Sequence, residues 1–99
     1  MNTLETQHAG TLELRKRAGE ILDYWFEALT FKLADDCRYT PDFLVMLPDG
    51  ELEVHEVKGH FEDDAKVKLR VAADKFPFRF LAFRKLPKKE GGGWQEIEF

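Results

Sequence analysis

Asp42, Glu56 and Lys58 are two acids and a base whose spacing can bring them into one site. They sit in "YTPDFLVMLPDGELEVHEVKG", two apolar-rich segments joined by Pro48, Asp49 and Gly50. Side chains alternate across a strand. Leu52, Val54, Glu56 and Lys58 therefore take one face of the second segment, and Glu51, Glu53, His55 and Val57 take the other. Two charges thus continue an inward apolar row. If Pro48, Asp49 and Gly50 form a three-residue loop, with Gly50 as its left-handed residue, Leu47 faces Glu51. Counting back then sets Asp42 opposite Glu56 on a shared face, with beta carbons about 4.5 to 5.5 Å apart. A four-residue loop would set His55 opposite Asp42 instead.

Like charges directly opposed destabilise a sheet, and burial raises the penalty. Such a pair calls for a proton, a cationic partner or a metal. Lys58 alone would make a satisfied ion cluster at a strand end. The functional alternative is a hard divalent cation, because Mg²⁺ favours oxygen ligands, keeps several waters and often uses one or two carboxylates plus a substrate phosphate. The backbone carbonyl of Val57, between acid and lysine, would add an oxygen. Lys58 would then stand near an attacking water or a phosphorus centre, where a fixed cation stabilises growing negative charge.

The surrounding pattern supplies elements to position these groups. Residues 3 to 17, "TLETQHAGTLELRKR", predict a helix with Thr3 as cap and Gly19 as stop, weakened by Gly10. Residues 21 to 26 and 29 to 33 alternate as two short strands with a tight connection. Residues 42 to 47 are apolar on both faces, as a central strand requires, and Pro41 marks the strand's entry. After the hairpin, "HFEDDAKVKLRVAADKF" turns helical. Asp63 and Asp64 lie at its start, and Ala65, Leu69, Ala72, Ala73 and Phe76 share one face. "FRFLAFRK" is a buried strand that closes a right-handed crossover with parallel pairing. "LPKKEGGG" reads as a flexible loop and "WQEIEF" as a final edge strand. The expected architecture is α/β: a helix, then a mixed β-sheet with a β-hairpin and a β-α-β crossover.

Ninety-nine residues suit one domain with one modest core, and nine phenylalanines supply bulk for it. No run of about 18 apolar residues exists for a membrane span, and no basic-then-apolar secretory pattern opens the chain, so a cytoplasmic location is expected. Cys37, the single cysteine, reads as an incidental thiol. The net charge of −4 argues against simple coating of nucleic acid, but the charge is uneven. Residues 1 to 57 carry 5 Lys/Arg against 12 Asp/Glu, and residues 58 to 89 carry 10 against 4. A basic segment beside an acidic one is either a solvated surface or a phosphate-binding flank around a cation-binding cluster.

"PDF", a short spacer and "EVK" followed by Gly59 resemble the PD-(D/E)XK nuclease superfamily, in which Asp, a second acid and Lys lie on adjacent strands. More closely, "LETQHAG", "LELRKRAGEI" and "YTPDFLVMLPDGELEVHEVKG" look like a small phage-associated endonuclease family related to Holliday-junction resolvases. The likeness covers nearly the whole chain. The order of the surrounding elements, helix, three strands including the hairpin, helix and strand, strengthens the match. The resemblance implies a restriction-endonuclease-like core and Mg²⁺-dependent hydrolysis of a DNA phosphodiester, with Mn²⁺ as a substitute. It implies that Asp42, Glu56 and a first-helix glutamate hold one or two metals. Glu5 matches that position, and Glu13 is the other candidate. Lys66, Lys68, Arg70, Arg84, Lys85, Lys88 and Lys89 become candidates for phosphate contact. A homodimer would let a one-site subunit cut two strands.

Other features weigh less. His55 and His60 flank the acids without zinc spacing, and the triple glycine lacks the G-K-[ST] of a P-loop. Trp25 and Trp94 read as core or interface anchors. Two rival functions stand beside the nuclease: a catalytically silent nuclease-fold module that binds DNA or protein, and a phage inhibitor whose acidic half mimics DNA. RNA stays open as a substrate.

Overall fold

A computed structural model describes residues 1–99. Helix α1 spans Thr3–Arg17, the predicted range, but its cap is Asn2 and not Thr3. The Asn2 side chain accepts the Glu5 N–H at 2.8 Å, and Glu5 Oε1 accepts the Asn2 N–H at 2.8 Å. This reciprocal capping box satisfies two otherwise orphaned donors of the first turn. Arg15, Lys16 and Arg17 fill the last turn, where positive charge opposes the negative end of the helix dipole.

Strands β1 (Asp23–Phe26), β4 (Phe43–Met46), β5 (Leu52–Lys58), β6 (Arg79–Lys85) and β7 (Trp94–Glu98) form one sheet in the order β1-β4-β5-β6-β7. The β4–β5 hairpin closes on the three-residue loop read from the sequence: Leu47 N–H donates to the Glu51 carbonyl at 2.8 Å, and Gly50 has φ +88°. Its register runs from Met46↔Leu52 to Phe43↔His55. One step further sets Asp42 across from Glu56. Helix α2 (Asp63–Lys75) carries the chain to β6, which pairs parallel with β5, and β7 adds antiparallel as an edge. No helix is long and apolar enough to cross a membrane.

The segment before β4 departs from expectation. Its two strands do not pair with each other. β1 joins the main sheet against β4, whereas β2 (Phe31–Ala34) pairs with β3 (Cys37–Tyr39), a strand the sequence pattern did not predict. This second, two-stranded sheet forms because Phe31, Leu33 and Tyr39 bury themselves under α2 with Val54, Leu69 and Phe80. The "LPKKEGGG" loop likewise contains a 3-10 turn, Lys88–Glu90, and is closed by Leu86 N–H on the Gly93 carbonyl at 2.9 Å.

A second cluster, Leu12, Ile21, Phe43, Val45 and Val57, lies on the α1 side of the sheet. β5 is therefore covered on both faces, and the assignment of its Glu53 and His55 row to the outside is corrected: both residues are buried. The buried apolar surface compensates the ordering of these polar groups only because each finds a partner, and no buried side-chain polar atom is left without one.

Candidate functional site

The hairpin register delivers Asp42 and Glu56 side by side at one end of the sheet, and both carboxyls are nearly inaccessible, at 7% and 5% exposure. Asp42 Oδ2 accepts the Val57 N–H at 2.7 Å. Tyr39, from β3, donates its hydroxyl to Glu56 Oε2, and Lys58 Nζ stands 3.8 Å from Glu56 Oε1. One acid is thus held by a backbone amide and the other by a phenol and an ammonium.

Burial first, then hydrogen bonding to Glu56 and its charge, pushes the Asp42 carboxyl up to about 7, against the pull of the Val57 amide and of Glu5. Asp42 therefore keeps its proton up to near neutrality. Burial and the Glu56 charge also push the Tyr39 hydroxyl up, so it stays a neutral donor. Tyr39→Phe is expected to lower stability by ~1.5 to 3 kcal/mol, because a buried carboxylate oxygen loses its donor. Urea unfolding checks this, and a change below about 0.5 kcal/mol would show that the phenol does not hold Glu56.

A cleft of about 310 Å³ opens over the acids, lined by Arg38, Tyr39, Thr40, Asp42, Glu56, Lys58, Asp64, Ala65 and Lys68. Three cations from three elements, Arg38 on β3, Lys58 on β5 and Lys68 on α2, surround a carboxylate floor. Such an arrangement favours an anion that reaches the acids through a cation.

Of the other sequence candidates, Glu5, half-buried in the first turn of α1, is near enough to Asp42 to pull its carboxyl down but does not line the cleft. Glu13 lies about 12 Å further along the helix axis. It is engaged elsewhere, accepting from Tyr24 Oη at 2.8 Å and Arg17 Nε at 3.1 Å. Val57 contributes its amide to Asp42, where the sequence suggested its carbonyl as a ligand. The seven basic candidates separate. Lys68 lines the carboxylate cleft, whereas Lys66 and Arg84 line a second cavity of about 210 Å³ with His60, Phe61, Gln95 and Ile97. Arg84 also touches Gln95 Oε1 at 3.4 Å and Glu90 Oε2 at 3.5 Å, and Lys85 lies 5.4 Å over the Trp94 ring. Arg70, Lys88 and Lys89 are exposed and line neither cavity.

Sequence reasoning missed Arg38, Tyr39, Thr40 and Asp64. The first three belong to or follow β3, whose only signal was the alternation of Cys37 and Tyr39 against Phe31 and Leu33. Asp64 was read only as a helix-start residue.

No group of three or more His, Cys, Asp or Glu side chains is arranged to hold a metal ion. The donor set that does converge is a pair of carboxylates with Glu5 at its margin. It fits Mg²⁺ completed by water and substrate oxygens, and does not make a closed, all-protein cage. Comparison with protein-family models, with curated proteins and with solved structures finds no match to this chain.

Proposed function

We propose that this chain is a Mg²⁺-dependent endodeoxyribonuclease of the PD-(D/E)XK type, built on a restriction-endonuclease-like core and acting in the cytoplasm on branched or junction DNA. The observation that carries the reading is the burial of Asp42 and Glu56 together, with Lys58, on the floor of an open cleft with cationic walls. Two buried acids beside one lysine repel each other unless a proton or a further cation offsets the charge. Phosphodiester chemistry uses that combination.

Asp42 and Glu56 would hold the cation, with Glu5 and the Val57 carbonyl as further oxygens. A bound Mg²⁺ supplies polarisation of the phosphoryl oxygen and activation of water. The chain's own residues do the rest. The Val57 amide and Tyr39 hydroxyl fix the two carboxylates. Lys58 orients the incoming water or stabilises charge gathering on the phosphoryl group, while Arg38 and Lys68 hold the backbone phosphate at the rim. Lys66 and Arg84 would meet phosphates further along the strand. A subunit with one such cleft cuts both strands of a branch only as a homodimer.

The test is incubation with four-way junction, nicked, duplex and single-stranded DNA and with RNA, in Mg²⁺, Mn²⁺ or EDTA. Metal-dependent DNA cleavage is expected, lowered by on the order of 10² to 10³-fold in Lys58→Ala. Binding without cleavage of any substrate would leave a silent nuclease-fold module. Equal cleavage by Lys58→Ala would remove the lysine from the chemistry.

A further inference from the structure

The α1 side of the sheet contains a polar chain that the cleft does not use. Glu53, His55 and His8 are 5%, 0% and 5% exposed. Glu53 Oε2 accepts Arg79 Nη1 at 2.8 Å, and Glu53 Oε1 lies 3.0 Å from His55 Nε2. His55 Nδ1 lies 3.0 Å from His8 Nε2.

Chemistry fixes the proton positions. Glu53 is a carboxylate held by a permanently charged guanidinium, so it accepts, and His55 must donate from Nε2. Two buried imidazoles side by side stay neutral, which leaves His55 Nδ1 as an acceptor and His8 Nε2 as its donor. The chain therefore runs in one direction, from His8 through His55 to Glu53.

This chain joins β5, which supplies Glu56 to the cleft, to α1, whose Glu5 neighbours Asp42. His55 precedes Glu56 on β5, and His8 lies one turn beyond Glu5 on α1. Residues three apart share a helix face, so the rotation that buries His8 also aims Glu5 toward the sheet. The C-terminal half of α1 is tied to β1 through Glu13 with Tyr24 and Lys16 with Asp23, and the N-terminal half that carries Glu5 has fewer anchors. His8 and Leu12 are the helix's only buried residues, with Leu4 and Ala9 partly buried beside them. Apolar contacts of that kind tolerate sliding and rotation, whereas a hydrogen bond between two buried rings has one length and one direction. The His8 ring is also enclosed by Phe43 at 5.4 Å and Phe83 at 4.5 Å between centroids, which fixes its plane.

We infer that His8 and His55 are positioning residues: anchored on Glu53, they set the register of α1 against β5 and so hold Glu5 at the Asp42 carboxylate. This rests on the reading of Glu5, Asp42 and Glu56 as a cation site. His8 touches no substrate and acts only through Glu5.

Mn²⁺ affinity, measured by electron paramagnetic resonance of the free ion without DNA, reads the device directly. His8→Leu fills the space without a donor and is expected to weaken Mn²⁺ binding about tenfold. Glu5→Gln should weaken it by a similar factor, and the double variant no further, since both lose the same ligand. His8→Gln, which keeps an N–H at similar reach, should bind within about threefold of the native chain. Unchanged affinity in a folded His8→Leu, or additive losses in the double variant, overturns the inference while leaving the cation site standing. A native chain that binds no Mn²⁺ overturns the cation site itself, and the role of Glu5 with it. Should His8→Leu fail to fold, His8→Gln still decides, because a tenfold loss in that folded variant would show that the hydrogen bond is not what places Glu5.

Discussion

Asp42→Asn is expected to unfold at a higher temperature than the native chain at pH 8 while lacking the metal-dependent cleavage proposed for that chain. The Asp42 carboxyl, ordinarily near 3.8, is pushed up to about 7 by burial and by Glu56. Between those values the folded state binds a proton that the unfolded state does not. Stability is therefore lost as pH rises from about 4 through 7, and above 7 two buried carboxylates face each other. At 1.36 kcal/mol per pKa unit this loss approaches ~4 kcal/mol. Asparagine avoids it. Its oxygen still accepts the Val57 N–H, and its amide N–H can donate to Glu56 as the protonated acid does. A gain of roughly 2 to 4 kcal/mol in a chain of this size corresponds to about 10 °C or more. Urea and thermal unfolding at pH 8 and pH 4 check it, since the advantage should vanish at the lower pH. Asp42→Asn less stable than the native chain at pH 8 would mean that the acids are not in conflict. Added Mg²⁺ should narrow the gap by stabilising only the native chain.

That conflict was legible in the sequence because a short loop fixes a hairpin's register. "PDG" allows few turn geometries, and once Gly50 takes the left-handed position every cross-strand partner follows, down to Asp42 and Glu56. The helix ranges were legible for a similar reason: caps and punctuating glycines act locally. What stayed hidden depends on tertiary neighbours. β3 is three residues long and carries Arg38 between its two less polar positions, so nothing local separates it from a loop until Phe31 and α2 cover Tyr39. Glu53 and His55 looked solvated because alternation predicts one wet face, yet β5 is central and buried on both sides. A hydropathy pattern cannot show that a histidine 47 residues away will satisfy a histidine in the sheet. The sequence could not separate Glu5 from Glu13 for the same reason, since only burial of His8 and Leu12 defines which face of α1 meets the sheet. The basic candidates divided because Lys66 and Lys68, two apart on a helix, point in nearly opposite directions.

Below pH 6.5 the buried histidines are expected to destabilise the fold, and the native chain should conceal much of that effect. Burial first, then the neighbouring His55 and Arg15, lowers the His8 imidazole from 6.5 to about 3. The folded state keeps His8 neutral while the unfolded chain takes up a proton, so stability falls with pH from about 6.5 down to 3. The upper limit is ~5 kcal/mol, comparable with the whole stability of a small domain. His55, lowered chiefly by burial, acts in the same direction. Glu53, held down chiefly by its hydrogen bond to His55, adds a further loss below about 4.5. Asp42 works oppositely from 7 to 3.8, becoming more comfortable as it protonates. The two slopes largely offset between about pH 6.5 and 4, giving the native chain a shallow profile there. Each variant should expose the other group. In Asp42→Asn the histidine slope stands alone, so the urea midpoint should fall steeply over that interval. In His8→Leu the main histidine contribution is gone, so the midpoint should hold or rise as pH drops toward 4. Parallel profiles for all three proteins would show that neither group carries a proton difference between folded and unfolded states. Opposite slopes in the two variants would show that the acid pair and the histidine chain impose contrary pH demands from the two faces of one strand.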